Sequence, residues 1–108
     1  GRRGAITKAK AMIASLETAI SMYHGDMGAY RTSDNVELVK ALAEGTTDPD
    51  WAGPYMEFKQ DELVGGELLD PWGKPYQYKN PGSHNTTGYD LFSFGKDGTE
   101  SGDDVGNW

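Results

Sequence analysis

From Ile6 onward the apolar residues fall at Ile6, Ala9, Ile13, Leu16, Ile20, Tyr23 and Met27, spaced alternately by three and four. That is one stripe of an amphipathic helix, and nothing between Ala5 and His24 breaks it. At 1.5 Å per residue, some twenty residues make a rod of roughly 30 Å. For a chain of 108 residues this is a dominant element, so any core must be laid along it. Gly25 and Gly28 are the stop signals, one of them expected to supply the left-handed turn that ends a helix. Gly1 to Gly4 offer no Ser, Thr, Asp or Asn cap, so the stripe begins abruptly. A cut inside a longer helix and an expression scar both fit that beginning.

Beyond the rod, Ser33 or Asp34 is placed to cap a short second helix from Asn35 to Glu44, with Val36, Val39, Leu42 and Ala43 as its apolar face. Asp48-Pro49 and Gly53-Pro54 then punctuate a turn-rich stretch. Leu63 and Val64, flanked by Gly65-Gly66, read as a loop anchored by two apolar side chains. Pro75 to Lys79 alternates, with Tyr76 and Tyr78 on one side, and Tyr89 to Phe94 is a second aromatic run. The connector Asn80 to Gly88 has no large apolar residue, so an antiparallel hairpin with a long polar loop is expected. The fold class is therefore α+β, a long N-terminal helix packed on a small antiparallel sheet, in one domain spanning 1–108.

A chain of this size buries only around two thirds of its unfolded surface, so a cross-link or a metal would help it. There is no cysteine to supply the cross-link. The segment Ser93 to Trp108, SFGKDGTESGDDVGNW, carries four carboxylates and four glycines. Asp97, Asp103 and Asp104 alternate with Gly98, Gly102 and Gly106, and glycine lets backbone carbonyls turn inward. Carboxylates mixed with carbonyls suit Ca2+, with its six to eight oxygen ligands, better than magnesium or zinc. Asp97 to Gly102 even follows the first half of an EF-hand loop, but Trp108 stands where the bidentate Glu belongs. A solvated acidic tail is the competing reading.

Several functions are excluded by what surrounds these features. The formal charge of -7 opposes a nucleic-acid or anionic-membrane surface, and no apolar run is long enough to span a bilayer. His24 and His84 lie in different segments without zinc-site spacing. Glu67 and Asp70 have no nucleophile beside them and read as turn or solvent-facing residues. Neither a phosphate-binding glycine loop nor a nucleophile elbow is present, so no catalytic residues are expected.

Two stretches, DPWGKPYQYKNPG at Asp70 to Gly82 and YDLFSFGKDGTESGDDVGNW at Tyr89 to Trp108, resemble the major pseudopilins of the bacterial type II secretion system, relatives of the type IV pilins. The Asp-x-Gly-x-Tyr turn at Asp26, Gly28 and Tyr30 agrees. The resemblance implies a pilin-like fold with a C-terminal calcium-binding loop: carboxylates from Asp97, Asp103 and Asp104, and main-chain carbonyls near Phe94, Thr99 and Ser101. It implies a non-enzymatic subunit that polymerises with itself into a short periplasmic filament driving export of folded proteins across the outer membrane. Minor pseudopilins and inner-membrane secretion components would be its partners. It also implies that the chain represents a periplasmic domain whose membrane-embedded, N-methylated half-helix has been removed. A type IV pilin-like subunit for adhesion or DNA uptake is the near alternative. A free-standing calcium-dependent binding module, with Trp51, Trp72 and Trp108 stacking on sugars, is the distant one.

Overall fold

The structure, a computed structural model, describes residues 2–29, 34–98 and 104–108. Helix α1 runs from Arg2 to Met27, 26 residues, or roughly 39 Å at the standard rise. It ends at the second of the two predicted stops. Gly25 sits inside the helix at an exposed position, whereas Gly28, at φ 79°, ends it by donating its N–H to the His24 carbonyl (2.8 Å). The stripe is the buried face: Ala9, Ile13, Leu16, Ile20, Tyr23 and Met27 are all in the core, joined by Ala19, with Ile6 and Met12 packed at its margin.

Helix α2, Asn35–Val39, opens on the expected cap. Asp34 is extended, and its side chain accepts the Glu37 N–H at 2.9 Å. Removing that oxygen in Asp34→Ala is expected to cost about 1 kcal/mol, lowering the midpoint of thermal unfolding by roughly 4–8 °C. An unchanged melt would show that the cap is dispensable. The rest of the helix differs from expectation, because Lys40–Glu44 widens into a π-helical turn that closes with Gly45 N–H on the Lys40 carbonyl (2.9 Å). Leu38, Val39, Ala41 and Leu42 are buried, while Val36 and Ala43 are only half-buried.

A short 3₁₀ turn, Gln60–Glu62, leads into strand β1, Leu63–Val64, which pairs with β2, Glu67–Leu68. The expected loop at Leu63 to Gly66 is thus the first half of a tight hairpin. Gly65 and Gly66, at φ 61° and 85°, supply the two left-handed positions of its two-residue turn. Strands β3, Gln77–Lys79, and β4, Asp90–Ser93, form the predicted antiparallel pair, with Tyr78 opposite Leu91. Tyr76 and Tyr78 are buried on the same side, as their alternation requires. A third strand was not expected. Val105–Gly106, β5, pairs antiparallel with β4, Ser93 facing Val105, and α1 lies across both.

Asn35 joins the two sheets. Its amide donates to the Leu68 carbonyl (3.0 Å) and the Tyr76 carbonyl (2.8 Å), and its Oδ1 accepts the Leu68 N–H (2.7 Å). All of this occurs at a buried side chain, so the polar group is fully used rather than stranded. No helix among the described residues is long and apolar enough to cross a membrane.

Candidate metal site

The site begins where β4 ends. Ser93, fully buried, donates its hydroxyl to Asp70 Oδ2 (2.6 Å) and accepts the Gly95 N–H (3.0 Å). Gly95 and Gly98 both have positive φ, 78° and 69°, and Gly98 N–H reaches the Gly95 carbonyl at 3.3 Å. A turn therefore lifts Asp97 to an exposed position. At the far end of the connection Asp104 is half-buried and directly precedes β5. Since Ser93 faces Val105, the β4–β5 ladder holds Phe94 and Asp104 side by side at the base of the connection.

Of the residues expected to hold an ion, the structure thus brings Phe94, Asp97 and Asp104 onto one pinned connection. Thr99, Ser101 and Asp103 lie outside the described residues. Among the described residues no three His, Cys, Asp or Glu side chains cluster closely enough to hold a metal. The donors that are described are oxygen alone, two carboxylates and a main-chain carbonyl, which fits a hard cation such as Ca2+ and not a nitrogen- or sulfur-seeking metal.

A rigid base supports the connection. Asp70, read as a solvent-facing turn residue, is instead buried, and its Oδ1 accepts the N–H groups of Trp72 and Lys74 (both 2.9 Å). This locks the DPWG turn, in which Gly73 takes φ 82° and Trp72 packs against the core. The Lys74 stem then passes 3.4 Å from where a Cβ on Gly98 would stand. The turn thus lies beside the acidic connection, to whose base it is tied by the Ser93–Asp70 hydrogen bond.

A second carboxylate was missed by sequence reasoning. Asp90, 1% exposed, accepts the N–H groups of Ser83 (2.7 Å), His84 (3.0 Å) and Asn85 (2.9 Å). Burial works to raise its pKa, but those three N–H groups and the nearby His84 outweigh it and hold the carboxyl below its ordinary value. The polar connector is therefore an ordered loop wrapped on an anion. Gly82 sits so close that a Cβ there would meet Asp90 Cγ at 2.7 Å and the Asn85 carbonyl at 2.8 Å. The available signal was three polar residues, Ser83 to Asn85, a few positions before an acid that opens a strand.

The tryptophans do not form a stacking platform. Trp51 is half-buried, donating Nε1–H to the Ala41 carbonyl (2.7 Å), with Tyr55 edge-on to its ring at 5.5 Å. Trp108 is half-exposed, but His84 covers it in a stack of 3.8 Å and 10°, and its ring leans on Gly106.

The family model described as "Type II secretion system (T2SS), protein G" matches residues 2–108. The type II secretion system core protein G of Vibrio cholerae is 35% identical over 105 residues, covering 94% of this chain and 66% of that protein. Its counterpart in Pseudomonas aeruginosa is 34% identical over 108 residues, covering 95% and 70%. The chain thus spans about two thirds of the length of these relatives. In three dimensions it is similar to the crystal structure of the major pseudopilin from the type 2 secretion system of enterohaemorrhagic Escherichia coli. The TM-score is 0.63 at 31% identity, covering 98% of this chain and 88% of the other.

Proposed function

This chain belongs to the type II secretion system protein G family, and from that premise we propose that the protein is the repeating subunit of a pseudopilus. The observation that carries the reading is the end-to-end match of rod, hairpin and sheet to a solved major pseudopilin. An apolar half-helix continuing α1 would bundle in the filament core and anchor the subunit in the inner membrane, leaving these domains to tile the periplasmic surface. Growth of such a filament drives folded proteins through the outer membrane. The role is structural, since no step of it requires a bond to be made or broken by this domain. Copies of the protein, minor pseudopilins and inner-membrane secretion components are the partners.

One Ca2+ belongs to this reading. Asp97, Asp103 and Asp104 would ligate it through carboxylates, and Phe94, Thr99 and Ser101 through main-chain carbonyls. The ion would supply positive charge where Asp97, Glu100, Asp103 and Asp104 otherwise repel one another. Support comes from the all-oxygen donor set on a connection whose two ends are fixed by the β4–β5 ladder.

Deleting the gene in its own host is expected to leave secreted enzymes in the periplasm, with adhesion and DNA uptake unchanged. Complementation should restore their release. Normal release in the deletion strain, or loss of adhesion or DNA uptake in its place, would overturn the assignment in favour of another pilin-like machine.

A further inference from the structure

Phe94, whose main-chain carbonyl the calcium reading uses, lies between two fixed residues. Ser93 before it is fully buried, and Gly95 after it is buried too, at φ 78°. The Gly95 N–H, which donates to Ser93 Oγ at 3.0 Å, belongs to the same peptide unit as the Phe94 carbonyl. That unit is trans. In a planar trans peptide the N–H and the C=O point in opposite directions, so holding the N–H on Ser93 Oγ turns the Phe94 carbonyl away from that buried hydroxyl.

Ser93 can hold the N–H because its own hydrogen is committed elsewhere. Its hydroxyl donates to Asp70 Oδ2 at 2.6 Å, which leaves the oxygen lone pairs for Gly95. Asp70 in turn cannot swing, since its Oδ1 accepts the N–H groups of Trp72 and Lys74, both at 2.9 Å. Its backbone N–H also closes on the Lys74 carbonyl at 2.6 Å. Both side chains are buried, so water does not compete for these bonds. The DPWG turn itself needs only Oδ1; Oδ2 and the Ser93 hydroxyl act on the base of the β4–β5 connection.

We propose that Asp70 and Ser93 are positioning residues for the cation of that connection: they touch no ion, but fix the plane of the peptide that carries the Phe94 carbonyl. This rests on the calcium reading and adds to it two residues outside the ligand set. Partners that orient metal ligands ordinarily matter by about tenfold to a hundredfold in affinity. The coupling is reciprocal, so an ion held by the Phe94 carbonyl steadies the DPWG turn.

The test is calcium affinity by isothermal titration calorimetry, at a temperature where circular dichroism shows each calcium-free protein folded. Ser93→Ala and Asp70→Asn are expected to weaken binding about tenfold or more. Asp70→Asn keeps the Oδ1 acceptor of the turn but sets an NH2 group against Ser93 Oγ. Asp34→Ala, which loosens the fold at the cap of α2, should leave the affinity unchanged. In carbon-13 NMR, saturating calcium should shift the Phe94 carbonyl resonance of the wild type. That shift should shrink in Ser93→Ala while the Asp104 carboxyl still responds, a pattern that lost stability alone does not produce. Should the variants fail to fold, the wild type still answers: calcium should slow hydrogen exchange at the Trp72 and Lys74 amides more than at the Glu37 amide of the α2 cap. Wild-type affinity in both Ser93→Ala and Asp70→Asn, equal weakening in Asp34→Ala, or equal slowing at the three amides would overturn the positioning role and leave the calcium site standing. A wild-type domain that binds no calcium would overturn both.

Discussion

Asp90→Ala is expected to destabilise the domain by about 3–5 kcal/mol, because removing one partner of a buried, charge-assisted network strands the others. Three backbone N–H groups and the Asn85 amide all point at this carboxylate. Their loss propagates. The Asn85 amide also donates to Asn107 Oδ1 (3.2 Å), which accepts the Leu91 N–H (3.0 Å), while the Asn107 amide returns to the Tyr89 carbonyl (3.2 Å). One carboxylate thus fastens the connector to β4 and, through Asn107, to the chain end that follows β5. Asp90→Asn keeps the volume but places an NH2 group among donors, so an intermediate loss is expected. Urea unfolding checks both. The sign with pH follows from the lowered pKa: the contribution is complete above the carboxyl's ordinary value of 3.8 and is lost as pH falls through the lower, folded value. The acid limb of the wild-type stability curve should therefore flatten in Asp90→Ala; an Asp90→Ala domain as stable as wild type would show that water satisfies the connector.

Asp90 also marks where sequence reasoning stops. The α1 stripe was legible because every position that a 3.6-residue period places inward is apolar, and burial follows it from Ala9 to Met27. The alternating tyrosines before Lys79 gave β3 for the same reason with a period of two. By contrast β1, β2 and β5 are two residues each, too short to show any period, and exist because a neighbouring backbone accepts them. The π-helical turn at Lys40–Glu44 is not advertised by the sequence either. At the candidate metal site, residue types and glycine spacing pointed to oxygen donors around a hard cation, and the ladder explains what pins their ends. Spacing could not reveal that the DPWG turn lies beside Gly98, since Asp70 meets Ser93 across 23 positions of chain. Local patterns carried the periodic elements; contacts between distant polar groups decided the rest.

Calcium is expected to raise the thermal midpoint of the domain, and chelation to lower it again. An ion that binds only the folded chain adds RT ln(1 + [L]/Kd), about 2.7 kcal/mol at a hundredfold excess over Kd. At roughly 4–8 °C per kcal/mol for a domain of this size, that is about 10–20 °C. Asp97→Ala and Asp104→Ala should each abolish the calcium-dependent part of the melt. These residues stand on opposite arms of the connection between β4 and β5, so an ion bridging them closes a loop that the ladder closes only at its base. Thr99→Ala and Ser101→Ala should keep the response, because the proposed contribution of those residues is a main-chain carbonyl that alanine retains. Magnesium should substitute poorly, given its demand for a tight octahedral shell. In chelator the α1 helicity should persist below the lowered midpoint, because the helix is buried through its own apolar stripe. Identical melts in calcium and in chelator would refute the site, while a calcium response that survives both Asp97→Ala and Asp104→Ala would move the ion to other carboxylates and separate it from the β4–β5 connection.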